Sequence, residues 1–483
     1  LRIVRKVLSI LGGGRGQDGA PPPPLPDGRS GFEDWNAIGR TENLAVCRAL
    51  DDVIDAEGET DIDLSVDSRS QGLASAVLDE VVALNAAGRW RDARKRFDPA
   101  YRPFRRQIED VGLRTVSLLG PDRFLLRFDE GVLLIDEENA DLLDDIVTFA
   151  RSADRRWLAL VIPSGIVVTT DLDGPAAATW NWPQDVPVDA SDLRSVAIAD
   201  DGRRLVIAGD EIGIWLCRDG AWTALAPRPG VGDDDDEDEA DEGSEAGERE
   251  EAAVEREVEA CEIGVSTYGA RRARQGGPHR LDGSHVAISP DGRFVAYGWQ
   301  DAWPGHYLDR VEDEGPVPLA RIDAVSDYPY SVHFSRDGRS LFANSRSGAN
   351  GVTQRLDLAA FEERGEWVAR PVDEYLRGYS FCEIPGPSLG IEDGVVWIGG
   401  AGWSHAVRFS GGAPVFTHFF GSAITGIDYD PACGRAVVIS ASGMVHVMEP
   451  FAEAEPGLER GYRPRRELYR LILWNSLDRV VRW

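Results

Sequence analysis

HVAISPDGRFVAY, residues 285–297, is a short alternating run, a polar turn carrying Asp291 and Gly292, and a second run of apolar residues. Alternation suits a half-buried strand and the branched, aromatic second run suits a fully buried one, so the two read as a hairpin. SVAIADDGRRLVIA (195–208) and SVHFSRDGRSLFA (331–343) superpose on it without a gap. Looser copies stand at 116–128 (VSLLGPDRFLLRF), 147–161 (VTFARSADRRWLALV), 388–398 (SLGIEDGVVWI) and 427–439 (IDYDPACGRAVVI). Asp-Gly at 201–202, 291–292, 337–338 and 393–394 predicts tight turns whose two central residues can both take positive φ. Its loss at Asp122 and Asp154 predicts a different or longer turn in those copies.

Several copies continue into a third strand after a Gly or Ser: Gly131 to Ile135, Gly165 to Thr170, Gly213 to Cys217, Gly351 to Leu356, Ser404 to Phe409 and Gly443 to Met448. Three or four strands per repeat, spaced by roughly 40 to 50 residues, is the pattern of a propeller blade. One such unit cannot bury its apolar faces alone, so the blades must stack and the ring must close. The expected fold is mainly β: a seven-bladed β-propeller over residues 108–450, with a small N-terminal helical region and a C-terminal amphipathic tail. The long interval from Trp222 to Ser284 leaves an eighth, degenerate copy open.

The Ser289-Pro290-Asp291-Gly292-Arg293 and Ser335-Arg336-Asp337-Gly338-Arg339 phrases resemble those of divergent bacterial WD40 or YVTN-type propellers, over roughly two thirds of the chain. The Gly-His and Trp-Asp pairs of regular WD40 blades are missing. The resemblance implies a platform on which other molecules dock and carries over no catalytic residue. Similar phrases occur in propeller enzymes, so the fold alone does not decide function.

The 483 residues carry a net charge of −31, which disfavours nucleic acid as a partner of the whole surface. Of 52 basic residues only Lys6 and Lys95 are lysines. The five cysteines, Cys47, Cys217, Cys261, Cys382 and Cys433, are scattered without a Cys-x-x-Cys spacing and read as free thiols of a cytoplasmic protein. No apolar run approaches the length of a membrane span.

Outside the repeats, residues 1–30 read as a basic and Pro-rich segment. Leu1 to Leu11 fits an amphipathic helix with Arg2, Arg5 and Lys6 on one face. Gly14 to Gly19 matches G-x-G-x-x-G, but prolines 21–24 follow instead of a helix, so no dinucleotide site is expected. Residues 31–107 read as a small helical domain, on the spacing of Leu44, Cys47, Leu50, Val53 and Ile54 and of Leu73, Val77, Leu78, Val81, Val82 and Leu84. Within 232–260, Asp233 to Glu259 holds sixteen acidic residues and two arginines, the composition of a disordered insertion. In the tail, 451–483, Leu468, Leu471, Trp474, Leu477 and Val481 make one stripe if the chain is helical. That stripe either packs on the body or docks an acidic protein or an anionic membrane.

Motifs for chemistry are few. Gly402-Trp403-Ser404-His405-Ala406 approximates a nucleophile elbow, but its last glycine is Ala406 and the string reads as a β-turn. The seven histidines lack metal-ligand spacing, and His285 and His333 fall in first strands where a structural role suffices. No metal, cofactor or catalytic residue is assigned. The candidate partner-binding residues are Trp299, Trp303, Tyr307, Tyr330 and Trp403 in the repeats and Tyr469, Arg470, Trp474 and Trp483 in the tail. The favoured function is a protein-interaction scaffold or adaptor, the alternative a hydrolase or lyase with carboxylates at the propeller axis. Contact of the termini with an anionic membrane is a third reading.

Overall fold

The computed structural model describes residues 5–7, 34–42, 67–104, 106–108, 111–129, 131–137, 139–183, 192–226, 265–267, 283–300, 305–323, 328–347, 350–364, 367–374, 378–453, 465–475 and 480–483, with single residues 32, 45, 281, 376 and 477 between them. The acidic block 232–260, Trp303 and the helical spacing read at 44–54 lie outside these residues, apart from position 45.

The described chain is mainly β and is built from repeated four-stranded antiparallel sheets whose strands follow chain order. Sheet A comprises Thr115–Gly120, Arg123–Phe128, Gly131–Asp136 and Asn139–Leu143. Sheet B comprises Thr148–Arg151, Leu158–Ile162, Gly165–Thr169 and Ala178–Asn181; sheet C comprises Leu193–Ile198, Arg204–Gly209, Gly213–Arg218 and Ala221–Ala226. Sheet D runs His285–Ile288, Phe294–Gly298, Gly305–Glu312, Gly315–Asp323, and sheet E runs Tyr328–Phe334, Ser340–Ser347, Asn350–Asp357, Ala369–Asp373. The long strand Phe416–Asp430 then serves twice, as the last strand of sheet F after Ser380–Ile384, Val395–Gly399 and Ala401–Arg408, and as the first of sheet G before Arg435–Ser440, Met444–Glu453 and Arg465–Ile472.

Successive sheets bury their faces against one another, which is what the apolar second strands are for. Leu125 and Leu134 of sheet A pack with Phe149 and Leu160 of sheet B; Val161 and Val168 of sheet B with Leu205 and Ile207 of sheet C; Val206 and Ile214 of sheet C with Val295 and Tyr297 of sheet D. The series continues through Phe294 with Leu341, Phe342 with Val396, and Trp397 with Val438. Val437 and Ile439 of sheet G then share a cluster with Val116 and Leu118 of sheet A, so the last sheet packs on the first.

The repeated turn differs from the expected one. Only the glycine is left-handed, with φ of +67°, +70° and +70° at Gly202, Gly292 and Gly338; the preceding aspartate works through its side chain. Asp291 Oδ1 accepts the Ser289 hydroxyl at 2.6 Å and the Arg293 amide at 3.0 Å, while Ser289 Oγ accepts the Phe294 amide at 2.9 Å. Ser335, Asp337 and Ser340 repeat this lock. So do Ser152, Asp154 and Trp157, where Arg155 stands in the glycine position with φ +65°. The turn at Asp154 is therefore the same turn, not a longer one. Only in sheet A, where Gly120 pairs with Arg123, is it shorter. The copy read at 388–398 supplies just its second half: the first strand of sheet F is Ser380–Ile384, and Gly386–Leu389 is a short 3-10 helix.

Both flanks correct the helical expectations. Arg5–Val7 is a strand that pairs with Asn139–Leu143 at the edge of sheet A, not part of an amphipathic helix. In the tail, Arg465–Ile472 is the fourth strand of sheet G and Val481–Arg482 a short fifth. Tyr469 and Leu471 alternate with Leu468 and Arg470 as well as they space by helical turns, and the open edge of Met444–Glu453 offers a ladder that a lone helix lacks. Sheet D likewise gains an edge strand, Val265–Thr267, from inside the interval left open for another copy.

Helices α1 (34–42), α2 (Gln71–Ala86) and α3 (Trp90–Arg96) form the N-terminal region. Ser70 caps α2 by accepting the Leu73 amide. Val77, Val81, Phe97 and Phe104 bury Trp35, Trp474 and Trp483 against Met444 and Ile472 of sheet G. Each indole finds a backbone acceptor: Trp35 on Asp98 O (2.8 Å), Trp474 on Ser442 O (2.6 Å), Trp483 on Phe97 O (2.9 Å).

Candidate functional site

The first strands of neighbouring sheets touch, and that of sheet G returns to that of sheet A. Two ends of this bundle of first strands are distinct: one carries the Ser-x-Asp turns, the other the links between sheets.

At the turn end, arginines reach across several sheets. Arg155, from sheet B, donates Nη1 to Asp428 Oδ1 (2.9 Å) and Nη2 to Asp428 Oδ2 (3.0 Å), a bidentate pair, and also contacts Tyr429 O and Leu118 O. The Leu118 amide donates to Asp428 Oδ2 at 2.6 Å, and Arg151 Nη1 to Leu118 O at 2.8 Å. From the other side Arg336, in the turn of sheet E, places Nη2 3.1 Å from the same Tyr429 carbonyl. Its backbone amide donates to Glu383 Oε2 of sheet F at 2.6 Å. Two guanidiniums from sheets B and E therefore meet on one carbonyl of sheet G and span this end with fixed side chains.

Burial works against the Asp428 carboxylate, but the Arg155 charge and hydrogen bonds override it and hold the carboxyl below its ordinary range. Glu383 goes the other way: burial raises its carboxyl, with the Arg336 amide and charge only partly offsetting. The Cys382 thiol beside them is pushed up to about 12 by burial and by the Asp428 charge, and burial takes Cys217 to about 12 as well, so neither is a thiolate at neutral pH. Burial likewise lowers His285 and His333 to about 4 and His418 to about 3.

The opposite end gathers aromatics. Trp299 follows the second strand of sheet D and stacks on Tyr307 at 5.4 Å; Tyr307 stacks on Tyr297 at 5.5 Å. Tyr330, early in sheet E, meets Tyr379 edge-on at 5.3 Å, and Trp403 of sheet F lies 4.4 Å from Phe419. Tyr307, Tyr330, Tyr379, Trp403 and Phe419 are half-buried and Trp299 is buried. Four of the candidate residues thus share one rim, on sheets D to F. The tail candidates do not join them. Trp474 and Trp483 are core, Tyr469 is buried with its hydroxyl on Asp122 (2.8 Å), and Arg470 pairs with Glu467 (2.9 Å). Among the described residues the exposed large apolar side chains are Val317 and Val368.

Sequence reasoning missed Arg155, Arg336, Asp428 and Glu383. Arg155 alone had a signal: a serine-aspartate turn with arginine where its siblings carry glycine. Ser404 sits inside Ala401–Arg408 with no exposure, its hydroxyl directed to His418 O, so the elbow-like string is a strand and not a turn. No group of three or more His, Cys, Asp or Glu that could hold a metal occurs among the described residues.

No helix among them is long and apolar enough to cross a membrane. No family model matches the chain, and no curated protein matches it. Among solved structures, the chain is similar to the Cps50 (Swd1) β-propeller domain of Myceliophteria thermophila, at 10% identity over 69% of this chain and 94% of that one, with a TM-score of 0.42. So distant a likeness carries nothing about activity or partners.

Proposed function

We propose that sheets A to G are the blades of a closed seven-bladed propeller that serves as a protein-binding scaffold, with the aromatic rim of sheets D to F as its contact surface. The observation that carries this reading is the row of half-buried aromatic pairs, Tyr330 with Tyr379 and Trp403 with Phe419, beside Tyr307. Aromatics held by neighbours present large contact area at little entropic cost, which is why they dominate interface energetics. Closure is supported by the contact of sheet G with sheet A, and a rigid platform by the arginines spanning the turn end. Free buried thiols at Cys217 and Cys382 fit a cytoplasmic protein.

The test is affinity capture from cytosol with the full chain and with Tyr330→Ala/Trp403→Ala, after circular dichroism shows both folded. A stoichiometric protein held by the first and released by the second supports the reading; a partner held equally by both overturns the choice of rim.

A second reading, a hydrolase or lyase, has one observation of its own: Glu383 is raised and Asp428 lowered, the divergence that separates an acid from a base. Turnover of a glycoside or peptide library that is lost in both Glu383→Gln and Asp428→Asn would establish it, and turnover indifferent to both would remove it.

A further inference from the structure

The rim away from the turns carries a second polar feature, on sheets A and C. Arg127, the penultimate residue of the second strand of sheet A, is 8% exposed, and its Nη2 donates to Leu193 O at the start of sheet C. Its Nη1 is buried without a hydrogen-bond partner, and no carboxylate is hydrogen-bonded to this guanidinium among the described residues. Two more guanidiniums flank it. Arg114, whose amide donates to Arg127 O, holds Asp129 Oδ1 through Nε at 2.9 Å. Arg194, next to Leu193, holds Asp210 Oδ2 at 2.7 Å. The nearby carboxylates are thus engaged by the outer arginines, and Asp192 accepts the amides of Glu211 and Ile212.

A buried guanidinium between two others, near Asp129 but hydrogen-bonded to no carboxylate and with Nη1 unpaired, is costly unless an anion completes it. Burial, and after it the charges of Arg114 and Arg194, lower its basicity to about 10, against a smaller opposing pull from Asp129.

We propose that Arg127, flanked by Arg114 and Arg194, is an oxyanion-binding site that takes the phosphate or carboxylate group of a small molecule. In the planar fork of Arg127, Nη1 is left to donate to an oxygen, and the outer arginines supply approach: their side chains are 45% and 36% exposed.

The experiment is calorimetric titration of the full chain with inorganic phosphate and, in a second arm, with succinate, at ionic strength held constant with chloride. Saturable binding of either at one site is expected, with the responding arm naming the group. Arg127→Met should abolish it. Arg114→Ala, whose partner Asp129 is 57% exposed and so tolerates the loss, should weaken it about tenfold while leaving the fold intact. No heat and no rise in melting temperature with either anion at millimolar concentrations overturns the proposal, as does an equal response of the native chain and a folded Arg127→Met. If Arg127→Met does not fold, an unchanged affinity in Arg114→Ala overturns it.

Discussion

The turns of sheets B and E are built alike, yet one carries Arg155 and the other Gly338 at the left-handed position. Glycine there removes the Cβ clash; arginine keeps it, at a cost on the order of 1 kcal/mol. What sheet B gains is a guanidinium aimed along the first strands, where Asp428, Leu118 O and Tyr429 O wait for it. In sheet E the arginine stands two positions earlier, as Arg336, and reaches Tyr429 O without strain. The same lock of serine and aspartate thus serves either as a plain hairpin or as a mount for a long cation.

The comparison breaks most severely at Asp428. Asp428→Ala leaves the largely buried Arg155 with only the longer pairing to Asp430 at 3.7 Å while the strained φ remains, and should cost about 3 to 4 kcal/mol in denaturant unfolding at neutral pH. Because the native carboxyl is depressed, this contribution is complete above the unfolded pKa near 4 and is lost as pH falls through the lower folded value. The native and mutant unfolding curves should therefore converge below about pH 4.

The three sibling glycines separate strain from crowding, since their φ values agree within 3°. A Cβ on Gly202 would lie 2.5 Å from the ring of Trp157, whose indole is tied to Asp200 O at 3.0 Å, so Gly202→Ala should cost about 3 kcal/mol. A Cβ on Gly338 meets nothing nearer than Pro290 at 3.7 Å, so Gly338→Ala should cost only the backbone term, about 1 kcal/mol. Equal melting temperatures for these two variants would refute the attribution to Trp157.

Arg155→Gly lies between them. It strands the Asp428 carboxylate but relieves the turn, for a net loss of about 2 kcal/mol, less than that of Asp428→Ala. A larger loss would mean that φ +65° carries no strain here. The smallest effect belongs to Glu383. Its carboxyl is raised by burial, so the ionised form opposes folding at neutral pH, and acidification through its folded pKa adds stability. Glu383→Gln keeps an acceptor for the Arg336 amide and should be neutral or stabilising by less than about 1 kcal/mol at pH 7, a gain that vanishes once the native glutamate is protonated.

The legible parts of the molecule are those where one residue type has one physical reason. The paired strands at 195–208, 285–297 and 331–343 were visible because alternation and an apolar second run coincide with Asp-Gly. The tail was not, because Leu468 to Val481 satisfies helical and strand periods alike, and only the open edge of sheet G chooses. The aromatic rim was largely legible: aromatic residues marked Trp299, Tyr307, Tyr330, Trp403 and Phe419, the last two being cross-strand partners in sheet F, while Tyr379 became a neighbour of Tyr330 only through packing of sheet E on sheet F.

Local sequence by itself determined the hairpins, the serine-aspartate locks and the apolar strands that oblige sheets to stack, because each depends on residues a few positions apart. Tertiary structure decided where Arg155, Arg336 and Asp428 meet, and that Trp474 and Trp483 are core rather than surface. Those contacts join residues hundreds of positions apart, 389 from Arg94 to Trp483 for one, and no local periodicity encodes which distant strand edge or carbonyl will be left open.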